Sequence, residues 1–227
     1  MYPMFDSTFL LLIPVILLTM YAQVKVKSTY ATYSKVASRR GLTGAQVARY
    51  LLDNSGQGEV QIGHVQGTLT DHYDPRKKVL NLSDGVYDSS SIAALGIAAH
   101  ETGHAIQHGV GYSPLTARNS IVPVVSFAST LAIPLFFVGL LASIPMLMTV
   151  GILFFALAVV FHMITLPVEF NASHRAIALL GSEGYLDQDE LGSAKKVLSA
   201  AAWTYVAAAL MAVFQLLRLL MLRGRRD

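Results

Sequence analysis

The sequence contains no cysteine. That removes disulfides, thiolate metal ligands and a cysteine nucleophile, and it says nothing about the redox compartment. Charge is scarce as well: 14% of residues are charged while 53% are hydrophobic, a balance far from that of an ordinary soluble domain. The formal net charge of +3 is too small to argue for nucleic acid, and no aromatic-basic repeat accompanies it, so nucleic acid is not an expected partner. The scarcity is uneven. Long stretches carry no charge at all, whereas residues 23–119 have the composition of a water-soluble segment.

Four windows are long and apolar enough to cross a bilayer: about Thr8 to Ala22, Ile121 to Leu141, Met146 to Val168 and Ala200 to Met221. A signal peptide competes for the first. Nothing basic precedes it and no small-x-small cleavage pattern follows Thr19-Met20-Tyr21, so an uncleaved anchor is expected. Pro134 is expected to kink the second window, and Pro123 to fall in its first turn. The fourth is rich in alanine, which suits close helix packing in lipid. Arg218, near its end, is expected to snorkel toward the interface beside Arg223, Arg225 and Arg226.

Orientation signals conflict. Lys25, Lys27, Lys35, Arg39 and Arg40 follow the first window, which places residues 23–119 in the cytoplasm. Four spans then put the basic end Arg223-Gly224-Arg225-Arg226 outside. A fourth segment that re-enters or lies along the surface would remove the conflict. The charges beside the first window carry more weight, and the cytoplasmic face is the expectation.

Between the apolar windows the pattern is that of a small α+β unit. Gly41 ends one helical stretch, and Thr43 is placed to cap another through Asn54. Period-two alternation follows at residues 59–62 and 67–70. Asp74-Pro75-Arg76 reads as a turn, and residues 78–82 as a further strand. The strand just ahead of the next helix is either structural or presents an edge that a peptide can join. Asp88 to Ser91 offers a helix start, and the apolar run Ile92 to Ala99 leads from it into His100.

Residues 100–104 read His-Glu-Thr-Gly-His. With seven histidines in 227 residues and glutamate scarcer still, shuffling gives an H-E-x-x-H box about 0.005 times per chain, so chance is a poor account. Four residues apart on a helix, the two imidazoles project from one face and can share a divalent ion. Glu101 stands beside them, where a carboxylate can take a proton from water.

Two histidines do not complete a catalytic zinc site, which takes three protein ligands and one exchangeable position. Candidates for the third are His108, His64, His72, an acidic residue of the first loop, His162, Glu169 and His174. His108 continues the series but sits roughly 12 Å along the axis from His100 and is turned by about 80°; a polar role at the helix end suits it better. His64 and His72 read as surface or turn residues. His162, within the third window, indicates a polar cavity or a bond to a backbone carbonyl. Glu169 follows the third window directly. One ion cannot be held from both sides of a bilayer, so an even number of spans must separate His104 from its partner ligand. Two are expected, joined by a turn near Ser143-Ile144-Pro145, and Glu169 is the favoured third ligand.

The box, the hairpin and Pro167-Val168-Glu169-Phe170-Asn171-Ala172-Ser173, together with Asp71-His72-Tyr73-Asp74-Pro75, resemble the bacterial membrane-bound neutral zinc metallopeptidases. These are gluzincins, distantly similar to heat-shock membrane and CAAX prenyl metalloproteases. The resemblance spans essentially the whole chain. It implies one Zn2+ held by His100, His104 and Glu169, with Glu101 as general base and peptides or proteins as substrates at a lipid membrane. In the distant relatives an acid four residues after the third ligand steadies a ligand histidine, a position held here by Ser173. His174, Arg175 and Tyr87 are candidates for stabilising the oxyanion. The fold expected is an α+β membrane protein, mainly α-helical, with about four transmembrane helices and a small zincin-like unit. The expected division is an anchor at 1–24, the zincin-like segment with sheet and metal-binding helix at 25–119, a transmembrane hairpin at 120–168, a third-ligand helix and loop at 169–197, and a last transmembrane helix with basic tail at 198–227. A bacterial inner membrane is the expected location. The alternative is a non-catalytic, zinc-stabilised membrane scaffold. A structural site has no use for an acid adjacent to its ligand, which favours the enzyme.

Overall fold

The computed structural model describes residues 7–224. Arg225 and Arg226, part of the expected basic tail, lie outside the described residues. The chain is an α+β membrane protein, mostly helical with one small sheet. A 3-10 helix, Ser7–Leu12, runs into α1 (Ile13–Tyr33), followed by α2 (Gly44–Asn54), β1 (Gln61–Val65), β2 (His72–Asp74), β3 (Val79–Ser83) and the short α3 (Asp84–Tyr87). Then come α4 (Ile92–Gly109), α5 (Ser113–Ala142), α6 (Pro145–Ser182) and α7 (Gln188–Gly224). Two compact units result among the described residues: residues 7–23, 116–167 and 204–224 belong to one, and residues 24–115 and 168–203 to the other.

In the first unit the helices are long and apolar enough to cross a membrane, and α6 and α7 have 38 and 37 residues. About 20 residues suffice to span the hydrocarbon, so both helices have turns to spare. Phe136, Leu140, Met148, Ile152, Leu219 and Leu222 make the internal contacts. A Cβ on Gly151 would lie 2.7 Å from the Ala132 carbonyl oxygen, so α5 and α6 cross where only glycine fits. Phe127 (65% exposed) and Leu141 (69%) point outward, as residues bathed in lipid do. The hairpin turns where expected, with Ser143 in the left-handed region (φ +56°).

Two local expectations fail in this unit. Helix α5 begins at Ser113, so Pro123 lies in its interior, not in a first turn. Arg218 does not reach outward; it is buried, with its guanidinium 5.6 Å from the Phe9 ring centroid and Nε 3.4 Å from the Thr8 hydroxyl. An aromatic face and a hydroxyl offer a cation internal partners that make snorkelling unnecessary.

In the second unit Thr43 caps α2 through a capping box with Gln46, which satisfies two backbone N–H groups at once. The sheet order is β1-β3-β2; β1 runs parallel to β3 and β2 antiparallel. Residues 67–70, expected as strand, form a turn instead, because Gly67 (φ +112°) and Leu69 (φ +58°) leave the extended region. The strand falls on His72–Asp74. The strand ahead of α4 is β3, and it is central, so it has no free edge for a peptide; the outer strands are β1 and β2.

Helix α4 passes between two apolar layers. Ala93, Ala94 and Ala98 pack with Leu80, Leu82, Val60 and Leu52. Leu95 and Ala99 pack with Val47, Leu51, Ala176 and Leu180. A helix buried all round must be apolar all round, which explains the unbroken run from Ile92 to Ala99. Ser91 caps it by accepting from the Ala94 N–H at 3.2 Å.

Candidate metal centre

The H-E-x-x-H residues lie in the second half of α4, just beyond its unbroken apolar run. The side chains of His100 and His104 lie on one face, their rings 4.8 Å apart and nearly perpendicular. From α6, Glu169 enters between them: its Oε2 is 3.3 Å from His100 Nε2 and 3.5 Å from His104 Nε2. These are the three residues, among those described, that could hold a metal, with donor atoms within 4.8 Å of one another.

The donor set fits zinc on two counts. Two imidazole nitrogens and one carboxylate oxygen make a usual catalytic zinc set, and ligands about 2.1 Å from a tetrahedral ion stand about 3.4 Å apart. Both imidazole-to-carboxylate separations match that spacing. Burial opposes the charged form of His104, yet the carboxylates of Glu169 and Glu101 lift its pKa above the ordinary imidazole value. Without a cation the cluster is therefore anionic enough to recruit a proton.

Each imidazole is oriented through its far nitrogen. His100 Nδ1 lies 3.1 Å from the Ser173 hydroxyl, one turn past Glu169 on α6. His104 Nδ1 lies 3.0 Å from Gln107 Oε1. An amide oxygen only accepts, so that nitrogen carries the proton and Nε2 keeps its lone pair for a metal. The fully buried Gln107 then donates from Nε2 to the Val168 carbonyl at 2.8 Å and to Asn171 Oδ1 at 2.9 Å. The same Asn171 oxygen accepts from Arg175 Nε at 2.8 Å. One side chain thus ties a histidine of α4 to the backbone beside Glu169. Gly103 permits the approach: a Cβ there would sit 2.8 Å from the Ala172 carbonyl oxygen.

Of the sequence candidates, His100, Glu101, His104, Glu169 and Ser173 come together. Arg175 stands behind Asn171. His174 is exposed and, by helix geometry, turned about 140° from Glu169. Tyr87 packs at a tilt against His64, ring centroids 4.9 Å apart, and borders a different pocket beside Arg49 and Ile62. His64 pairs with Asp84 at 2.8 Å, and His72 bonds the Thr70 carbonyl. At the end of α4, His108 meets the Tyr73 hydroxyl at 2.9 Å. Gln107 and Asn171 were missed, although Gln107 stands at i+3 from His104, where side chains meet on a helix.

A helix-borne H-E-x-x-H pair joined by an acidic residue from a later helix is a donor set of the kind that zinc-dependent hydrolases use. The chain belongs to the family described as "Putative neutral zinc metallopeptidase", whose model matches residues 8–224. It is 50% identical over 212 residues to a Bacillus subtilis (strain 168) protein named "Putative membrane protease YugP", covering 92% of this chain and 94% of that relative. No solved structure matches the chain. The metal of this family is zinc, and the cluster described above could hold it.

Proposed function

We propose that this protein is a membrane-embedded zinc endopeptidase that cleaves peptide bonds of membrane proteins or their exposed segments. The observation that carries the reading is the convergence of two imidazoles and one carboxylate, from two separate helices, with donor atoms within 4.8 Å of one another and both imidazole-to-carboxylate distances at tetrahedral ligand spacing. In this reading His100, His104 and Glu169 are the ligands. Zinc, when bound, supplies Lewis-acid polarisation of a carbonyl and acidifies water. Glu101, buried beside His104, accepts the proton from the attacking water and then delivers it to the departing amine, so it ends the cycle as it began. Ser173 and Gln107 keep both imidazoles presenting Nε2. Of the three oxyanion candidates, Arg175 is the one tied to the residues that support the ligands, through Asn171, and it takes that role in this reading.

The five-part division of the chain into anchor, zincin-like segment, hairpin, third-ligand helix and last transmembrane helix agrees with this reading. So does a location in the bacterial inner membrane with residues 23–119 in the cytoplasm, supported by the basic residues after the first span. A purely structural zinc would call for a fourth protein donor; among the described residues the cluster has three.

Glu101→Gln tests the mechanism. The variant should retain zinc in stoichiometric amount and lose cleavage of an unfolded membrane-protein mixture by at least about a hundredfold. Equal cleavage by variant and wild type, both metal-loaded, rejects Glu101 as the base.

A further inference from the structure

Within the membrane-spanning unit, α1, α6 and α7 border a cavity of about 510 Å³. Its walls are mainly apolar, yet Gln23, His162 and Gln215 all line it. Among the described residues, the side chains of these three make no hydrogen bond or ion pair; His162 has only an edge contact with the ring of its neighbour Phe161. His162 and Gln215 fall within the membrane-spanning stretches, with Gln23 at the boundary; polar side chains in hydrocarbon are costly until something bonds them, and they mark sites where something does.

The shape of the cleft narrows the choice of partner. Along α7 the lining residues are Thr204, Ala208, Met211, Ala212 and Gln215, a stripe of i, i+4, i+7, i+8 and i+11. The stripe extends over about 16 Å of helix. That is the footprint of an elongated partner, and the spacing by which one helix reads another. Ala158, Ala208 and Ala212 keep the walls low enough for a backbone to come close. A lipid acyl chain could lie in such a cleft but brings no hydrogen-bonding group to its length, since its polar atoms stay at the interface. A helix carrying an Asn, Gln, Ser or Thr serves those polar groups well.

We propose that this cleft is a docking groove for a transmembrane helix of the substrate, and that it selects helices bearing a polar side chain within the membrane. The proposal names the substrate class for the peptidase reading and rests on it.

The test uses full-length, zinc-loaded protein in liposomes and two designed single-span substrates. One has a Leu/Ala helix with a central Asn, the other Leu at that position, and both carry the same cleavable extramembrane segment. Wild type should show a KM roughly three- to tenfold lower for the Asn helix, with similar kcat. The combined variant His162→Leu, Gln215→Leu should abolish that ratio. Docking is also read without cleavage. The chain has no cysteine, so Ala208→Cys in a Glu101→Gln background gives a unique thiol. It should form a disulfide with a cysteine on the substrate helix, more with the Asn helix than with the Leu helix. Equal KM for the two helices in wild type, a preference that survives the double variant, or crosslinks only between two copies of the protein would each overturn the proposal. Failure of wild type to cut the isolated extramembrane segment as a soluble peptide would count against the peptidase reading, and the crosslink would still decide whether the groove takes a helix.

Discussion

Gln107 offers the sharpest test of how the site is held. Gln107→Leu keeps most of the side-chain volume and removes three hydrogen bonds: to His104 Nδ1, to the Val168 carbonyl and to Asn171. Two of those partners have other bonds. Asn171 Oδ1 still accepts from Arg175, and the Val168 carbonyl lies inside a continuous helix. His104 Nδ1 is the group left with a proton and no acceptor in a buried place. An orphaned buried donor costs about 1–3 kcal/mol, and loss of a partner behind a metal-ligating histidine usually lowers metal affinity about 10–100-fold. At about 1.4 kcal/mol per decade the two figures agree. Zinc affinity measured by competition with a chromophoric chelator should therefore fall by one to two decades, with helix content unchanged. Gln107→Glu separates the two roles: an acceptor for His104 remains, while donation to Val168 and Asn171 is lost. It should bind zinc more tightly than Gln107→Leu and yet melt below wild type. His108→Ala, which removes only the contact with the Tyr73 hydroxyl, serves as control and should stay within about twofold of wild type. Wild-type affinity in a folded Gln107→Leu protein would refute the orienting role.

Two further outcomes follow from the same geometry. Because the His104 pKa is raised, the metal-free protein gains stability from that proton below the ordinary imidazole pKa and loses it as pH climbs through the raised value. Zinc must displace the proton, so its affinity should fall as pH is lowered through that same range. The Tm of metal-free protein should thus decline, and the zinc-induced rise in Tm should grow, between mildly acidic and mildly alkaline pH; a Tm increment independent of pH would contradict this. Gly103→Ala sets a helix-propensity gain of about 1 kcal/mol against an overpacking cost of about 1–3 kcal/mol. The nearest neighbour is the backbone carbonyl of Ala172 at 2.8 Å, which cannot swing aside. A lower Tm and weaker zinc binding are expected, and a raised Tm would show that α6 yields easily.

The parts of the site legible in the sequence were those fixed by a local period. His100 and His104 stand one helical turn apart, and the apolar run before them forces a buried helix, so the pair was readable from residues 92–104 alone. The sheet was harder. Its strands are three to five residues long, too short for alternation to outweigh a single glycine, and the positive φ of Gly67 and Leu69 moved one strand to His72–Asp74. The central place of β3 was not readable either, because strand order depends on pairing across 18 residues and leaves no local mark.

Glu169 belongs to neither case. Sixty-five positions separate it from His104, and no periodicity links them. What placed it was a conservation law of topology: both ends of a hairpin return to one side of the bilayer, so a residue just past the second span is available to a helix just before the first. That rule says which residues can meet and is silent on how they are held together. The holding is done by contacts with no signature at that range, namely Gln107 on the Val168 carbonyl, Ser173 on His100 and the bare Cα of Gly103 against Ala172. All three lie within four residues of a ligand on its own helix. A ligand set joined across a membrane hairpin therefore needs its supporting residues at short helical offsets from each ligand, where a sequence search guided by that constraint can find them.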